Sequence, residues 1–196
     1  MISHSAVWIR ALALAFGLSA TAGGVVAQDA LGLSTGEPII EGDGTGESYV
    51  AATFDDWEVV CVTMPEGEAE PCQMYQVLRD SEGNATAEIT LFPLEPGQEA
   101  VAGATILTPL ETLLTAQLVM QIDNSAAKRY PFTFCAAIGC IARVGFTAAE
   151  VDAFRRGAMA VWQVVPVAAP DAVIPLRMSL RGFTAAFNDV AARGVQ

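Results

Sequence analysis

The chain has a single histidine, His4, a single lysine, Lys128, and only four cysteines in 196 residues. Each scarcity removes a class of chemistry. His4 falls within an N-terminal stretch that has the marks of a secretory leader. Arg10 is followed by the apolar run ALALAFGLSATAGG, and the small residues Val25 and Ala27 stand where a cleavage site requires them. Cleavage is expected between Ala27 and Gln28. An uncharged core of roughly 17 residues is at the short limit for spanning a bilayer, which argues against a retained anchor. The first cysteine is Cys61, so no lipid-modified cysteine can stand at the new N-terminus. The expected product is a periplasmic, secreted or cell-surface protein with no membrane span after leader cleavage.

Loss of the leader removes the histidine, and with it serine triads of the histidine type and the usual partner of a cysteine nucleophile. Arg10 goes too, leaving nine basic residues against 22 acidic ones. A domain this acidic repels phosphate backbones, which excludes nucleic acid as a partner. A basic or neutral protein surface suits it better.

Composition divides the remainder into an acidic arm, residues 28–52, and a domain, residues 53–193. The arm is rich in Gly, Ser, Thr and acid and carries no apolar period, so it reads as a flexible tether. Residues 41–47 have some flavour of a calcium loop but not the ligand spacing of an EF-hand. No metal or other cofactor is expected.

From Phe54 onward the pattern is β. Trp57, Val59 and Cys61 alternate with Glu58, Val60 and Val62, as on a half-buried strand. Further strands are expected at Cys72 to Arg79, around Ala87 to Leu91, at Val101 to Leu107, at Gln117 to Ile122 and from Tyr130 to Phe134. Pro131 places the last of these at a sheet edge or a bulge. The long apolar run from Val101 to Ile122 is interrupted by Pro109 and Glu111, which suits two strands and a turn better than a membrane span.

Thr147 and Glu150 have capping-box spacing, so a short helix is expected to start there with Val151 and Phe154 inward. Arg155 and Arg156 suit its last turn, and Gly157 is expected to close it in the left-handed conformation. Two strands follow, Met159 to Val165 and Val173 to Leu180, with Arg177 and Arg181 outward. A last helix places Phe183, Ala186, Phe187 and Val190 on one stripe. The sum is all-β, a β-sandwich of about eight or nine strands with two short helices.

The cysteines decide whether the domain does chemistry. Cys61 and Cys72 end and begin neighbouring strands, and Cys135 and Cys140 flank the four-residue turn Ala-Ala-Ile-Gly, with Phe134 read as facing the core. Structural zinc sites draw their ligand pairs from tight spacings, and the gaps here do not supply them. A thioredoxin-type couple needs two intervening residues beside a βαβ unit, and neither is present. Disulfides remain. Four cysteines allow three connectivities, and loop entropy does not choose: rings of about 12 and 6 residues are worth roughly 2.8 and 2.2 kcal/mol, while a long crossed link is worth about 4.5. Facing positions of a hairpin lie about 4.5 to 5.5 Å apart, which favours Cys61 with Cys72 and Cys135 with Cys140 without excluding the crossed pairs.

Taken in order, FDDWEVVC at Phe54–Cys61, Cys72-Gln73-Met74, PFTFC at Pro131–Cys135, Gly139-Cys140-Ile141-Ala142 and LRMSLRGFTAA at Leu176–Ala186 resemble the invasion-associated locus B family of exported bacterial proteins. The resemblance spans about residues 53 to 190. It implies an immunoglobulin-like, disulfide-stapled β-sandwich that is periplasmic or surface-associated and linked by name to host-cell invasion. It implies no catalytic residues. The expected function is therefore non-enzymatic binding to an envelope or host-surface protein. Two alternatives stand beside it: a hydrolase of envelope glycans working through a pair of carboxylates, and an accessory factor for envelope protein assembly that uses an exposed strand edge.

Overall fold

The structure is a computed structural model and describes residues 46–194. The leader, the calcium-like stretch up to residue 45 and most of the acidic arm lie outside the described residues.

Eleven strands form one antiparallel sheet, two more than the sequence pattern resolves: β1 Ser48–Phe54, β2 Trp57–Val62, β3 Cys72–Arg79, β4 Ala85–Pro93, β5 Ala100–Thr108, β6 Leu118–Ile122, β7 Lys128–Tyr130, β8 Phe134–Ala136, β9 Gly139–Thr147, β10 Met159–Val164 and β11 Ile174–Ser179. Helix α1, Ala148–Arg156, follows β9, and α2, Phe183–Arg193, closes the described chain. Residues 48–52, which composition assigns to the arm, make up most of β1. The apolar run from Val101 to Ile122 is β5, a 3-10 turn at Leu114–Ala116, and β6. No helix among the described residues is long and apolar enough to cross a membrane.

Strand order is β7-β6-β10-β11-β3-β4-β5-β9-β8, with β2 also on β3 and β1 on β2. The two ends of this path, β7 and β8, are joined in sequence by only Pro131, Phe132 and Thr133. Three residues reach about 10 Å at most. The sheet must therefore curl until its ends are neighbours. The aromatic core records the same closure, with Phe146 of β9 lying 6.4 Å from Trp162 of β10 and 6.2 Å from Tyr130 of β7. The two layers of the expected sandwich are thus halves of one hydrogen-bonded sheet.

The inner face follows the period-2 pattern. Trp57, Val59 and Cys61 of β2, Met74 and Leu78 of β3, and Leu176 and Met178 of β11 are all buried. In α2 the stripe Phe183, Ala186, Phe187 and Val190 is buried against β1 to β4, and Phe183 meets Trp57 edge-on at 5.6 Å. In α1, Val151 and Phe154 are the buried pair, and the capping box of Thr147 with Glu150 is complete. Arg155 lies 5.1 Å over the Phe187 ring, so it joins the two helices besides facing the negative end of α1.

Two expectations are corrected here. Gly157 has φ −77°, which is not left-handed. Its missing side chain matters for space instead: a Cβ there would come within 2.8 Å of Leu180 and 3.0 Å of the Asp123 carboxylate. Phe134 does not face the core. It is 44 % exposed, with the Arg143 guanidinium 5.9 Å from its ring centre. The run from Tyr130 to Phe134 is two short edge strands broken at Pro131, and the break shifts the phase.

The β7 end of the sheet is clasped to α1 through Glu150. Its carboxylate accepts from Lys128 Nζ at 2.7 Å, Tyr130 Oη at 3.0 Å and the Thr147 backbone N–H at 2.9 Å. Burial by itself raises this carboxyl, but the hydrogen bonds from Lys128, Thr147 and Tyr130 outweigh it and hold the group at about 2, below its ordinary 4.5. The folded state thus binds its proton later than the unfolded chain does. The stabilisation is complete above the unfolded value and disappears as pH falls toward the folded one. With solvent screening of the half-exposed Lys128, Glu150→Gln is expected to cost about 1–2 kcal/mol at neutral pH. The deficit should shrink as pH falls below the ordinary 4.5 and be gone only below about 2. Urea unfolding of both proteins across that range checks it, and a pH-independent difference would sink the assignment.

Candidate functional site

The functional geometry begins where β3 changes partners. Along Cys72 to Tyr75 its free edge pairs with β2, while at Arg79 it pairs with β11 through the single register pair Arg177↔Arg79. Between these two contacts the strands part, and a seam opens in the sheet.

Gln76 fills the seam from below. Its side-chain nitrogen donates to the Asp56 carbonyl at 2.9 Å and to the Ser179 carbonyl at 3.1 Å, and its side-chain oxygen accepts from the Ser179 backbone N–H at 2.8 Å. One buried amide thereby does the work of a peptide group in joining the β1–β2 turn to β11. Trp57 Nε1 donates to the same Ser179 carbonyl at 2.9 Å, and the Ser179 hydroxyl donates to the Asp56 carboxylate at 2.7 Å. Arg181 pairs with Asp55 at 3.3 Å. Gly182 follows with φ +80°, so close to β1 that a Cβ would lie 1.9 Å from the Phe54 carbonyl oxygen. The FDDW and SLRG segments are therefore the two sides of one lock. Gln76→Leu would leave the Ser179 N–H and the Asp56 carbonyl without their partner. The expected cost is about 2–4 kcal/mol, read from denaturant unfolding; a loss below about 1 kcal/mol would show that the seam holds without it.

Above this lock lies an open cleft of about 670 Å³. Tyr75, Gln76 and Val77 of β3 line its floor. Asp55, Asp56 and Glu58 line one side, and the β3–β4 turn, Asp80 to Gly83, lines the other; Arg79 and Arg177 sit where the strands meet. The turn is built on Asp80, whose carboxylate accepts from the backbone N–H of Glu82 and Asn84 and from the Asn84 side chain, each at 2.9 Å. Those bonds, the Asn84 side chain foremost, hold its carboxyl below the usual range. The Tyr75 phenol is pushed up, first by burial and then by the carboxylates of Glu88 and Glu58.

The cleft gathers five carboxylates, of which three are tied into the fold and Glu82 accepts from the Asn84 side chain at 3.3 Å. Asp55 is held by Arg181, Asp56 by Ser179, and Asp80 by its own turn. Their bonds fix backbone segments to one another. Among the described residues no group of three histidine, cysteine, aspartate or glutamate side chains is placed to hold a metal ion.

The four cysteines stand elsewhere, as two disulfides. Cys61 faces Cys72 across β2 and β3 with Cα atoms 4.1 Å apart, and Cys135 faces Cys140 across β8 and β9 at 4.0 Å. Both are directly opposite register pairs of antiparallel strands, where backbones approach most closely. The turn of the second hairpin is the two residues Ala137 and Ile138, shorter than the sequence spacing suggests, since Ala136 and Gly139 are themselves paired. Gly139 has φ +145°, and a Cβ there would lie 2.4 Å from the Thr108 carbonyl.

A family model described as Invasion associated locus B (IalB) protein matches residues 57–191. The chain belongs to this family. The match runs from Trp57 at one side of the lock into the last turn of α2. Two curated invasion protein B homologs, from Brucella abortus strain 2308 and from Brucella abortus biovar 1 strain 9-941, are each 26% identical over 147 residues, covering 75% of this chain and 82% of the relative. Among solved structures, the crystal structure of invasion associated protein b from Bartonella henselae superposes with TM-score 0.56 at 20% identity, over 72% of this chain and 94% of that one. That likeness bears on the fold. The relatives are named as invasion proteins and not as enzymes.

The cleft itself escapes a reading of the sequence. Arg177 reads as an outward residue, and nothing near it in sequence points to Arg79. Their scarcity is the available signal, because two of the ten basic residues occupy one spot.

Proposed function

We propose that the chain is exported, with its leader cleaved near Ala27, and that the domain works in the periplasm or at the cell surface as a non-enzymatic binding protein. The single observation that carries this reading is the seam cleft. It is an open, mixed-polarity recess whose floor and walls are fixed by Gln76, Trp57 and Ser179, so a ligand would meet a preorganised surface. The two disulfides suit an oxidising compartment. A glycan hydrolase would need two carboxyls free to act as acid and as base or nucleophile. Asp55, Asp56 and Asp80 are spent on holding the cleft together, and Glu82 accepts from Asn84, so among the described residues Glu58 is the one lining carboxyl without a partner and no free pair is left, which favours binding over turnover.

Thr53 is exposed at the mouth of the cleft. Thr53→Trp should obstruct the recess while leaving the lock intact. Full chain and variant are to be used for capture from the organism's own envelope. The expected result is a partner retained by the parent and lost by the variant, with no release of glycan fragments by either. An identical partner set for both proteins would remove the cleft from the function.

A further inference from the structure

Arg79 and Arg177 are directly opposite one another on β3 and β11, on the outer face of the sheet. Directly opposed like charges destabilise a pair of strands. The chain has few basic residues and many acidic ones, so opposing arginines are the costlier choice here. Neither is neutralised within the described residues. The three ion pairs there involve Lys128, Arg181 and Arg193, although several carboxylates line the same cleft. Arg79 gives one nitrogen to the Gly83 carbonyl at 3.1 Å, and the Arg177 side chain makes no hydrogen bond among the described residues. Two guanidinium groups from facing positions therefore line one cleft with most of their donors unspent.

Resting on the cleft as the binding surface, we propose that this pair is a clamp for one oxyanion, a carboxylate or a phosphate, carried by the ligand. Guanidinium forks match the planar spacing of carboxylate oxygens and the edges of a phosphate, and an anion between them turns repulsion into two charge-assisted contacts. The acidic walls decide what surrounds that group. Glu58 and Glu82 face the same recess and repel further negative charge, so a polyanion is disfavoured. The ligand that fits carries an isolated oxyanion with positive charge close by, as in a small zwitterion or a peptide of mixed charge.

The test uses the full chain with four probes: acetate, inorganic phosphate, the dipeptide lysyl-glutamate, and polyphosphate as the polyanion. Side-chain and backbone signals of Arg79 and Arg177 are followed by NMR. Saturable binding is expected at about millimolar strength for acetate or phosphate, whichever is the better source, and about tenfold tighter for the dipeptide. Arg177→Gln and Arg79→Gln should each weaken it about tenfold. Arg177→Gln, which breaks no side-chain hydrogen bond, should not lower Tm, since it relieves the repulsion, and a saturating probe should raise Tm more for the parent than for either variant. A merely structural arginine would behave the other way, with its loss lowering Tm. No saturable shift at the two arginines, unchanged affinity in both variants, or tighter binding of polyphosphate would overturn the clamp. Envelope capture separates the two readings. A partner lost by Thr53→Trp but kept by Arg177→Gln overturns the clamp and leaves the cleft standing, while a partner kept by both overturns both.

Discussion

Replacing Gly182 with alanine is expected to cost about 3–5 kcal/mol and to lower Tm by roughly 10 °C or more. Two separate penalties add at this position. The left-handed φ of +80° is disfavoured for any residue with a Cβ, by about 1–2 kcal/mol. The added atom would also lie 1.9 Å from the Phe54 carbonyl oxygen and 2.6 Å from its carbon. Those are backbone atoms, so no side chain can rotate away. Relief requires moving the end of β1 or the start of α2. The first shift disturbs the Asp55–Arg181 and Asp56–Ser179 contacts, and the second lifts Phe183 off Trp57. Gly67 provides the control, because it has φ +94° with nothing within 4 Å of its would-be Cβ. Its replacement should cost only the conformational share, about 1–2 kcal/mol. Equal losses at both sites in thermal and denaturant unfolding would show that close approach to Phe54 is not what keeps glycine at 182.

The lock also explains which parts of the fold were legible in the sequence. The strands at Trp57, Cys72 and Met159, and both helices, were readable because one face of each meets a continuous core. Burial of Trp57, Val59 and Cys61, or of Phe183, Phe187 and Val190, then imposes its period directly on the residue pattern. β1 was hidden because it is an edge strand with exposed Tyr49 and Val50, so no face of it is fully apolar. β9 does alternate, with Cys140, Ala142, Val144 and Phe146 inward. Its start was concealed by reading the cysteine spacing as a four-residue turn. Phe134 was misplaced by extending the period of Tyr130 through Pro131, where the chain leaves one sheet edge for the other. The cleft has a different status. It depends on the register of Arg79 against Arg177 and on Gln76 reaching both Asp56 and Ser179. Those are relations between segments 20 to 103 positions apart, and no local pattern encodes them.

The two disulfides should prove unequal although both are cross-strand pairs. Cys61 and Cys72 are 0 % and 3 % exposed and sit within the main core. Cys61→Ala with Cys72→Ala removes a ring of about 12 residues, worth roughly 2.8 kcal/mol, and leaves space where two sulfurs were packed. A total loss of about 4 kcal/mol and a Tm drop of roughly 8–16 °C are expected. Cys135 lies on an exposed three-residue edge strand, and only Cys140 is buried. When Cys135→Ala is combined with Cys140→Ala, β8 can fray from β9 without opening the core, so most of the loop-entropy gain is not felt in global unfolding. About 1 kcal/mol is expected, with faster amide exchange confined to β8 and its turn. Attack by a thiolate depends on access, so mild reduction should open Cys135–Cys140 first. Peptide mapping under graded reductant, paired with unfolding curves of the two double variants, tests the ordering. If Cys61–Cys72 opened first, or the Cys135–Cys140 variant lost as much stability as the other, β8 would have to be counted a cooperative part of the sheet. Its role at the closing edge of the curl would then weigh more than its length and exposure suggest.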